Sequence, residues 1–264
     1  MTPTHAIALG IVQGATEFLP VSSSGHLILV PRLLGWPDQG LAFDAAVHLG
    51  TVLALVIYFA GELRRLAAGV LARRPADCRL SAAVLLGSIP AGLAGLAFQR
   101  LIETRLRSVT VVAVSTIVWA LVLWWADRRA ARSVVSDLRE VGIGRALVVG
   151  LAQPLALIPG TSRSGITLSA GLFTGLDRST AARFAFLLGL PITVAAGLLE
   201  TGILLRGGLT GDGLGVLALG VGTSFAAGLA AIRFLVGYLQ RRTLLLFVVY
   251  RIALGLLLLW VARG

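Results

Sequence analysis

Six uninterrupted apolar runs, at roughly 41–60, 81–99, 108–126, 182–204, 213–235 and 244–262, constrain this chain more than any other feature. A helix needs about 20 residues to cross the hydrocarbon core of a bilayer, where every backbone polar group must find its partner within the protein. Each run is therefore predicted to be a transmembrane helix. Composition agrees, since 57% of the 264 residues are hydrophobic and only 13% charged, about half the charged share of a soluble domain. The expected class is an all-α integral membrane protein, with 1–264 forming a single membrane domain.

The formal net charge of +11 rests on arginine, because the sequence contains no lysine. The arginines cluster in the gaps between apolar runs, which suits lipid headgroups and membrane topology. No basic helix interleaved with aromatics is present, so no nucleic-acid partner is expected. The single cysteine, Cys78, excludes an internal disulfide, and no Cys/His cluster offers a zinc site. The first residues, MTPTHAIALG, lack the basic region of a cleaved signal peptide, so the N-terminus is expected to remain in the mature protein.

Two further apolar stretches, roughly 5–34 and 144–176, behave differently. Pro20 with Ser22 to Ser24 interrupts the first near its middle, and Pro159-Gly160 with Ser162 to Ser164 interrupts the second. Proline and glycine break helices, and each half is too short to span. Both are predicted to be re-entrant helical hairpins, whose irregular backbone is tolerated only where protein or water covers it. Their sequences also align. With Gln13 of QGATEFLPVSSSGHL laid on Gln153 of QPLALIPGTSRSGIT, Ser22, Ser24 and Gly25 fall on Ser162, Ser164 and Gly165.

Arginine placement sets the orientation, because cytoplasmic loops carry the excess of positive charge. Arg64, Arg65, Arg73, Arg74 and Arg79 mark the gap near 61–80 as cytoplasmic, and Arg128, Arg129, Arg132, Arg139 and Arg145 mark the gap near 127–145. Arg178 with Arg183, and Arg241 with Arg242, mark two more, whereas the gap near 205–212 carries only Arg206. The exception is 100–107, with three arginines, placed outside by alternation. The first hairpin then starts and ends outside, and three spans lead inward. The second starts and ends in the cytoplasm, followed by three spans of opposite sense. Two halves, about 1–130 and about 140–264, thus form an inverted-topology repeat with the motif's own offset of about 140 residues. In such proteins broken-helix tips meet near the bilayer centre and build the site.

Polar side chains inside these stretches are costly in hydrocarbon and point to function. Gln13 and Glu17 lie four residues apart, on one helix face, where the carboxylate suits a divalent cation; hydrogen bonding to a neighbouring helix is the structural alternative. Ser23 and His26 are three residues apart, which places the imidazole beside the hydroxyl as base beside nucleophile. Serines such as Ser22 and Ser23 also cap helix N-termini. In the second motif, Thr161 to Gly165 present backbone N–H groups at a helix start, a ready phosphate site. Arg163 adds a forked guanidinium; an internal salt bridge to Glu17 is its alternative, and one that would join the two motifs. Asp44, His48, Glu200, Arg233 and Arg251 are read as helix-to-helix or snorkelling groups. Gly87, Gly92, Gly95, Gly189 and Gly197 are read as close-packing positions.

The segments EFLPVSSSGH (17–26) and PGTSRSGIT (159–167), with FVVYRIALG (247–255), resemble the undecaprenyl-diphosphate phosphatase family of bacitracin-resistance proteins. The resemblance covers essentially the whole chain. It implies a bacterial plasma-membrane enzyme that removes the terminal phosphate of undecaprenyl diphosphate, regenerating the lipid carrier for peptidoglycan and other envelope polymers. It also implies a divalent cation, Mg²⁺ or Ca²⁺. By position, the family's acidic motif falls on Gln13 and Glu17, its serines and histidine on Ser22, Ser23 and His26, and its phosphate-binding motif on Ser162, Arg163, Ser164 and Thr167. Gln13 stands where the family has Glu or Gln, leaving Glu17 as the only carboxylate of the pair; Mg²⁺ commonly binds one or two carboxylates plus phosphate and water. On this reading Glu17, the cation, Arg163 and the N–H groups near Ser162 to Gly165 hold the diphosphate, while His26 activates Ser23 or a water, or itself becomes phosphorylated.

The substrate agrees with the physics, since an isoprenoid diphosphate keeps its tail in membrane lipid and presents a charged head to a polar site open from the bilayer. Both termini and the site are expected on the extracytoplasmic side, and a homodimer is compatible with everything above. The rival is a lipid-phosphate flippase or transporter, because inverted repeats with broken helices are the usual transporter architecture. The membrane acid-phosphatase superfamily needs a histidine downstream of its arginine, whereas His5, His26 and His48 all precede Arg163. A P-loop enzyme fails for want of a lysine.

Overall fold

The computed structural model describes residues 1–37, 39–101, 108–130, 134–206 and 211–262, without the side chains of 41, 42, 99–101, 200–206 and 211–213. Eleven α-helices and two short 3₁₀ turns account for nearly all of these residues. In chain order they are α1 (Pro3–Phe18), α2 (Ser23–Leu34), α3 (Gly40–Tyr58), α4 (Ala60–Leu71), α5 (Pro75–Leu101) and α6 (Val109–Arg129), then α7 (Ile143–Ala152), α8 (Arg163–Phe173), α9 (Arg178–Arg206), α10 (Gly211–Leu239) and α11 (Leu245–Val261). The 3₁₀ turns are Leu138–Glu140 and Gln153–Leu157.

All six predicted spans are helical, but they are not equivalent. Among the described residues, Pro75–Phe98, Val109–Arg129, Arg178–Leu199 and Leu214–Leu239 are long and apolar enough to cross a bilayer. A fifth qualifies only when α3 and α4, bent by 59° at Phe59, count together. The last run forms a helix of 17 residues, short of the roughly 20 a span requires. The arginine-rich gap near 61–80 is itself largely helical, because α4 turns its charged face outward and buries Leu66 and Gly69. The long helices present apolar side chains outward, as Leu85 at 61% exposure and Leu96 at 79% illustrate. That is the surface of a protein solvated by lipid.

Both interrupted stretches break at the motif. The first splits into α1 and α2 around Leu19 to Ser22, the second into α7 with its 3₁₀ extension and α8 around Ile158 to Ser162. The last residue before each new helix, Ser22 or Ser162, has a positive φ of 73° or 69°. A left-handed conformation is unusual outside glycine and marks strain held in place by its surroundings. The two copies of the motif therefore share a backbone as well as a sequence.

Small residues let helices distant in sequence approach closely. On α1, a Cβ at Gly14 would meet Ser224 O of α10 at 2.3 Å, and on α7, a Cβ at Gly150 would meet Gly87 O of α5 at 2.1 Å. Matching hydroxyls tie the neighbouring helices: Ser224 Oγ donates to Val47 O at 2.7 Å, and Ser88 Oγ to Leu188 O at 2.8 Å. At another helix-end cluster, Asp127 of α6 accepts from Arg178 Nε at 2.5 Å and from Leu244 N at 3.1 Å, joining α6 to the starts of α9 and α11. Of the other glycines expected to pack closely, Gly95 meets nothing within 4 Å.

Arg251 of α11 is the largest side chain with no exposed surface. Its guanidinium donates to Pro20 O at 3.2 Å in the first break, to Gly160 O and Thr161 O at 2.9 Å in the second, and to Thr116 O of α6 at 3.3 Å. It does not snorkel.

Two stability predictions follow from this packing. Gly150→Leu should force α7 from α5 and cost about 1–3 kcal/mol, seen as a lower unfolding midpoint in detergent, while Gly95→Leu leaves the midpoint unchanged. Arg251→Met strands buried carbonyls at both breaks and should cost roughly 3 kcal/mol or more, measured the same way.

Candidate active site

The two breaks meet, and the residues singled out from the sequence meet with them. Glu17, in the last turn of α1, is the hub. Its Oε1 accepts from Arg163 Nη2 at 2.9 Å, across 146 residues of chain. Its Oε2 accepts from Ser23 Oγ at 2.8 Å and from Gln13 Nε2 at 3.2 Å, with His48 Nε2 3.9 Å away. The Glu17 side chain is 11% exposed and that of Arg163 23%. The salt bridge considered as an alternative for Arg163 thus forms, and it joins the two motifs. Such a pair is largely desolvated, so removing one partner leaves the other stranded, at a cost below the roughly 3–5 kcal/mol of a fully buried pair.

Arg163 begins α8, and its second terminal nitrogen reaches α9, where it donates to Thr193 Oγ1 and, at 3.4 Å, to Gly189 O. A Cβ at Gly189 would stand 3.2 Å from Arg163 Nη1, so the glycine makes room for the guanidinium. Ser164 Oγ donates to Leu19 O of the first break at 3.0 Å and lies 3.1 Å from Ser162 Oγ. Ser162 Oγ caps α8 by accepting from Gly165 N at 3.2 Å. The N–H groups of Arg163 and Ser164 remain without a partner among the described residues, at the positive end of the helix dipole. Thr167 is turned away, since its buried hydroxyl donates to Arg163 O at 2.7 Å within its own helix. Gly165 contributes space, because a Cβ there would meet Arg251 Nη1 at 3.1 Å.

His26 departs from the sequence-based expectation. Its ring does not pair with Ser23; Nδ1 lies 2.7 Å from Ser22 O and Nε2 2.6 Å from Tyr250 Oη. A carbonyl can only accept, so Nδ1 carries the proton and, in the neutral ring, Nε2 accepts from the tyrosine hydroxyl. The spacing of three residues did bring Ser23 and His26 into one helical turn, but the carboxylate of the preceding helix captured the hydroxyl first. Ser22, buried and at positive φ, makes no side-chain cap to α2; its Oγ lies 3.2 Å from Ser24 Oγ.

Residues not assigned a role from the sequence complete the cluster. Tyr250 and Thr193 gave no signal, because their partners lie 224 and 30 residues away on other helices. Of the charged groups read as helix-to-helix contacts or snorkelling, Arg251 supports both breaks, His48 approaches Glu17, Arg233 faces outward, and the Glu200 side chain lies outside the described residues. Among the described residues no three of His, Cys, Asp and Glu converge as a metal cluster. The amide that donates to the carboxylate nonetheless carries an orphaned atom: Gln13 Oε1 has no donor, although Gln13 is fully buried.

A carboxylate, a hydroxyl and a guanidinium thus converge with free helix N–H groups, a set suited to a phosphorylated ligand. Comparison with known proteins points the same way. The chain is 50% identical over 264 residues to an undecaprenyl-diphosphatase 2 of Stutzerimonas stutzeri, covering 98% of this chain and 97% of that protein. It is 45% identical over 259 residues to an undecaprenyl-diphosphatase of Teredinibacter turnerae, with 96% and 97% covered. To that of Thermomicrobium roseum it is 46% identical over 275 residues, with 99% and 98% covered. Residues 6–257 match the family described as bacitracin resistance protein BacA, and the chain belongs to that family.

Proposed function

We propose that this protein hydrolyses undecaprenyl diphosphate to undecaprenyl phosphate and inorganic phosphate, returning the lipid carrier to envelope-polymer synthesis and lowering sensitivity to bacitracin. The observation that carries the reading is the Glu17 carboxylate, bonded on one oxygen to Arg163 and on the other to Ser23. A transporter needs a ligand site, but not a hydroxyl hydrogen-bonded to a carboxylate beside a phosphate-binding arginine.

In the proposed reaction, Arg163 and the N–H groups of Arg163 and Ser164 grip the terminal phosphoryl and stabilise its developing charge. Ser23 Oγ attacks that phosphorus as its proton passes to Glu17 Oε2, and the bridging P–O bond breaks to release the prenyl monophosphate. Water then cleaves the phosphoserine, restoring Ser23 and freeing inorganic phosphate. His26, engaged by Ser22 O and Tyr250, holds the break in shape instead of abstracting the proton. Ser22, Ser162 and Ser164 line the two breaks as substrate-side hydroxyls.

The residues present fit a divalent cation, Mg²⁺ or Ca²⁺, since the Gln13 amide abuts the Glu17 carboxylate and its oxygen is left without a donor, so an amide turned over would offer that oxygen beside Glu17, the only carboxylate of the cluster among the described residues. Gln13 and Glu17 would hold it, and bound there it would neutralise and align diphosphate oxygens. We further read the chain as six spans with two re-entrant hairpins in an inverted repeat. Matching positive φ values at Ser22 and Ser162, and the matching seams of α1 on α10 and α7 on α5, support that reading. With arginine-rich gaps in the cytoplasm, the termini and the site opening lie on the outer face of the plasma membrane, where the released phosphate leaves and the prenyl tail stays in lipid.

Purified protein in detergent, where transport has no meaning, should release phosphate from a long-chain prenyl diphosphate and stop when chelated. Arg163→Ala and Glu17→Gln should each lower turnover by about 10²–10³-fold in protein that still folds, with the unfolding midpoint lowered by the loss of their ion pair; near-normal rates in either sink the site. Acid-quench trapping with substrate labelled in its terminal phosphate should put the label on Ser23. Label on His26, or on no residue, replaces the serine mechanism with one of the alternatives.

A further inference from the structure

His48 of α3 has no part in the mechanism above, yet it is the histidine nearest the Glu17 carboxylate. Its Nδ1 lies 2.7 Å from Asp44 O, one turn earlier on the same helix. That carbonyl can only accept, so Nδ1 carries the proton and the neutral ring offers a lone pair at Nε2. Histidines that bind metals are oriented in this way, with the second ring nitrogen donating to a carbonyl or carboxylate. Nε2 lies 3.9 Å from Glu17 Oε2, and the His48 side chain is 35% exposed.

The carboxylate divides its surroundings. Arg163 occupies Oε1, whereas Oε2 faces Ser23 Oγ, the Gln13 amide and His48 Nε2. Cis ligands of a small divalent ion, each ~2.1 Å from it, sit ~3 Å apart, so a modest rotation of the imidazole brings Nε2 into the same coordination shell as Oε2. Gln13 Oε1, buried without a donor, is the further oxygen: turning the amide over replaces the Nε2–H bond on Oε2 with a carbonyl facing the same shell.

We propose that His48 is a protein ligand of the cation held by Glu17 and Gln13, which makes the donor set mixed oxygen and nitrogen and shifts its preference from Ca²⁺ toward Mn²⁺. Hard alkaline-earth ions favour oxygen alone, while an imidazole nitrogen strengthens binding of first-row transition ions. The inference rests on the reading that Glu17 binds a cation. Tyr250 and Ser22 O engage both nitrogens of His26, so His48 is the imidazole free to coordinate there.

Mn²⁺ titrated into the purified protein in detergent, without substrate, reports the site directly. Free Mn²⁺ followed by electron paramagnetic resonance gives the dissociation constant, and the pulsed spectrum shows whether a nitrogen is bound. Wild type should show nitrogen modulation from an imidazole, and protein carrying ¹⁵N-labelled histidine should convert it to the ¹⁵N pattern with no substitution made. His48→Gln should lose the modulation and weaken Mn²⁺ by about tenfold, with Ca²⁺ competition changed by less than about twofold; His48→Ala should do the same. Unchanged modulation on labelling, or an unchanged Mn²⁺ affinity in both variants, overturns the role of His48 and leaves the Glu17 site standing. Equal Mn²⁺ binding by wild type and Glu17→Gln overturns the cation reading itself, and the inference with it.

Discussion

A broken helix leaves carbonyls that its own ladder no longer serves, and this chain breaks two helices at their polar motifs. Arg251 resolves that constraint. From α11 its guanidinium bonds carbonyl oxygens of both breaks and one of α6, with no exposed surface of its own. A planar fork with five donors suits this task better than an ammonium could. Because one rigid group serves both breaks, the first residues of α2 and α8 are held at a fixed separation, and Ser22 and Ser162 keep their left-handed backbone.

On that support the chemistry needs few parts. Ser164 donates to Leu19 O and Arg163 to Glu17, so each motif completes the other. Neither half holds the set alone: the first contributes carboxylate, hydroxyl and imidazoles, the second guanidinium and helix N–H groups. In the proposed reaction a diphosphate headgroup would meet the Arg163 guanidinium on one side and Ser23 with Glu17 on the other, while its prenyl tail would need only an apolar exit. The small-residue seams of α1 on α10 and α7 on α5 interleave the halves, so the parts remain in register when lipid surrounds them.

Much of this was legible in the sequence because hydrocarbon tolerates so few arrangements. Apolar length marked the helices, proline and glycine marked the breaks, and polar residues at the breaks marked the cluster. The signals that failed were those that depend on distance in space. Spacing suggested His26 beside Ser23, but Glu17 binds the hydroxyl and Tyr250 the imidazole. Thr167 matched the motif and turned into its own helix. The bend at Phe59 falls where the apolar run ends, two residues before Gly61, but that the arginine-rich gap beyond it continues as a helix was not legible locally.

The sequence by itself determined the solvent of this protein, the places where its helices break and the two groups of polar residues set there, since apolar length and backbone chemistry are local properties. Tertiary structure decided which polar group meets which. Glu17 has one carboxylate and several reachable donors, and packing of α1, α8 and α3 allotted Arg163 to one oxygen and Ser23, Gln13 and His48 to the other. That allotment turns two polar interruptions into one site, and it exists only where the breaks are brought together.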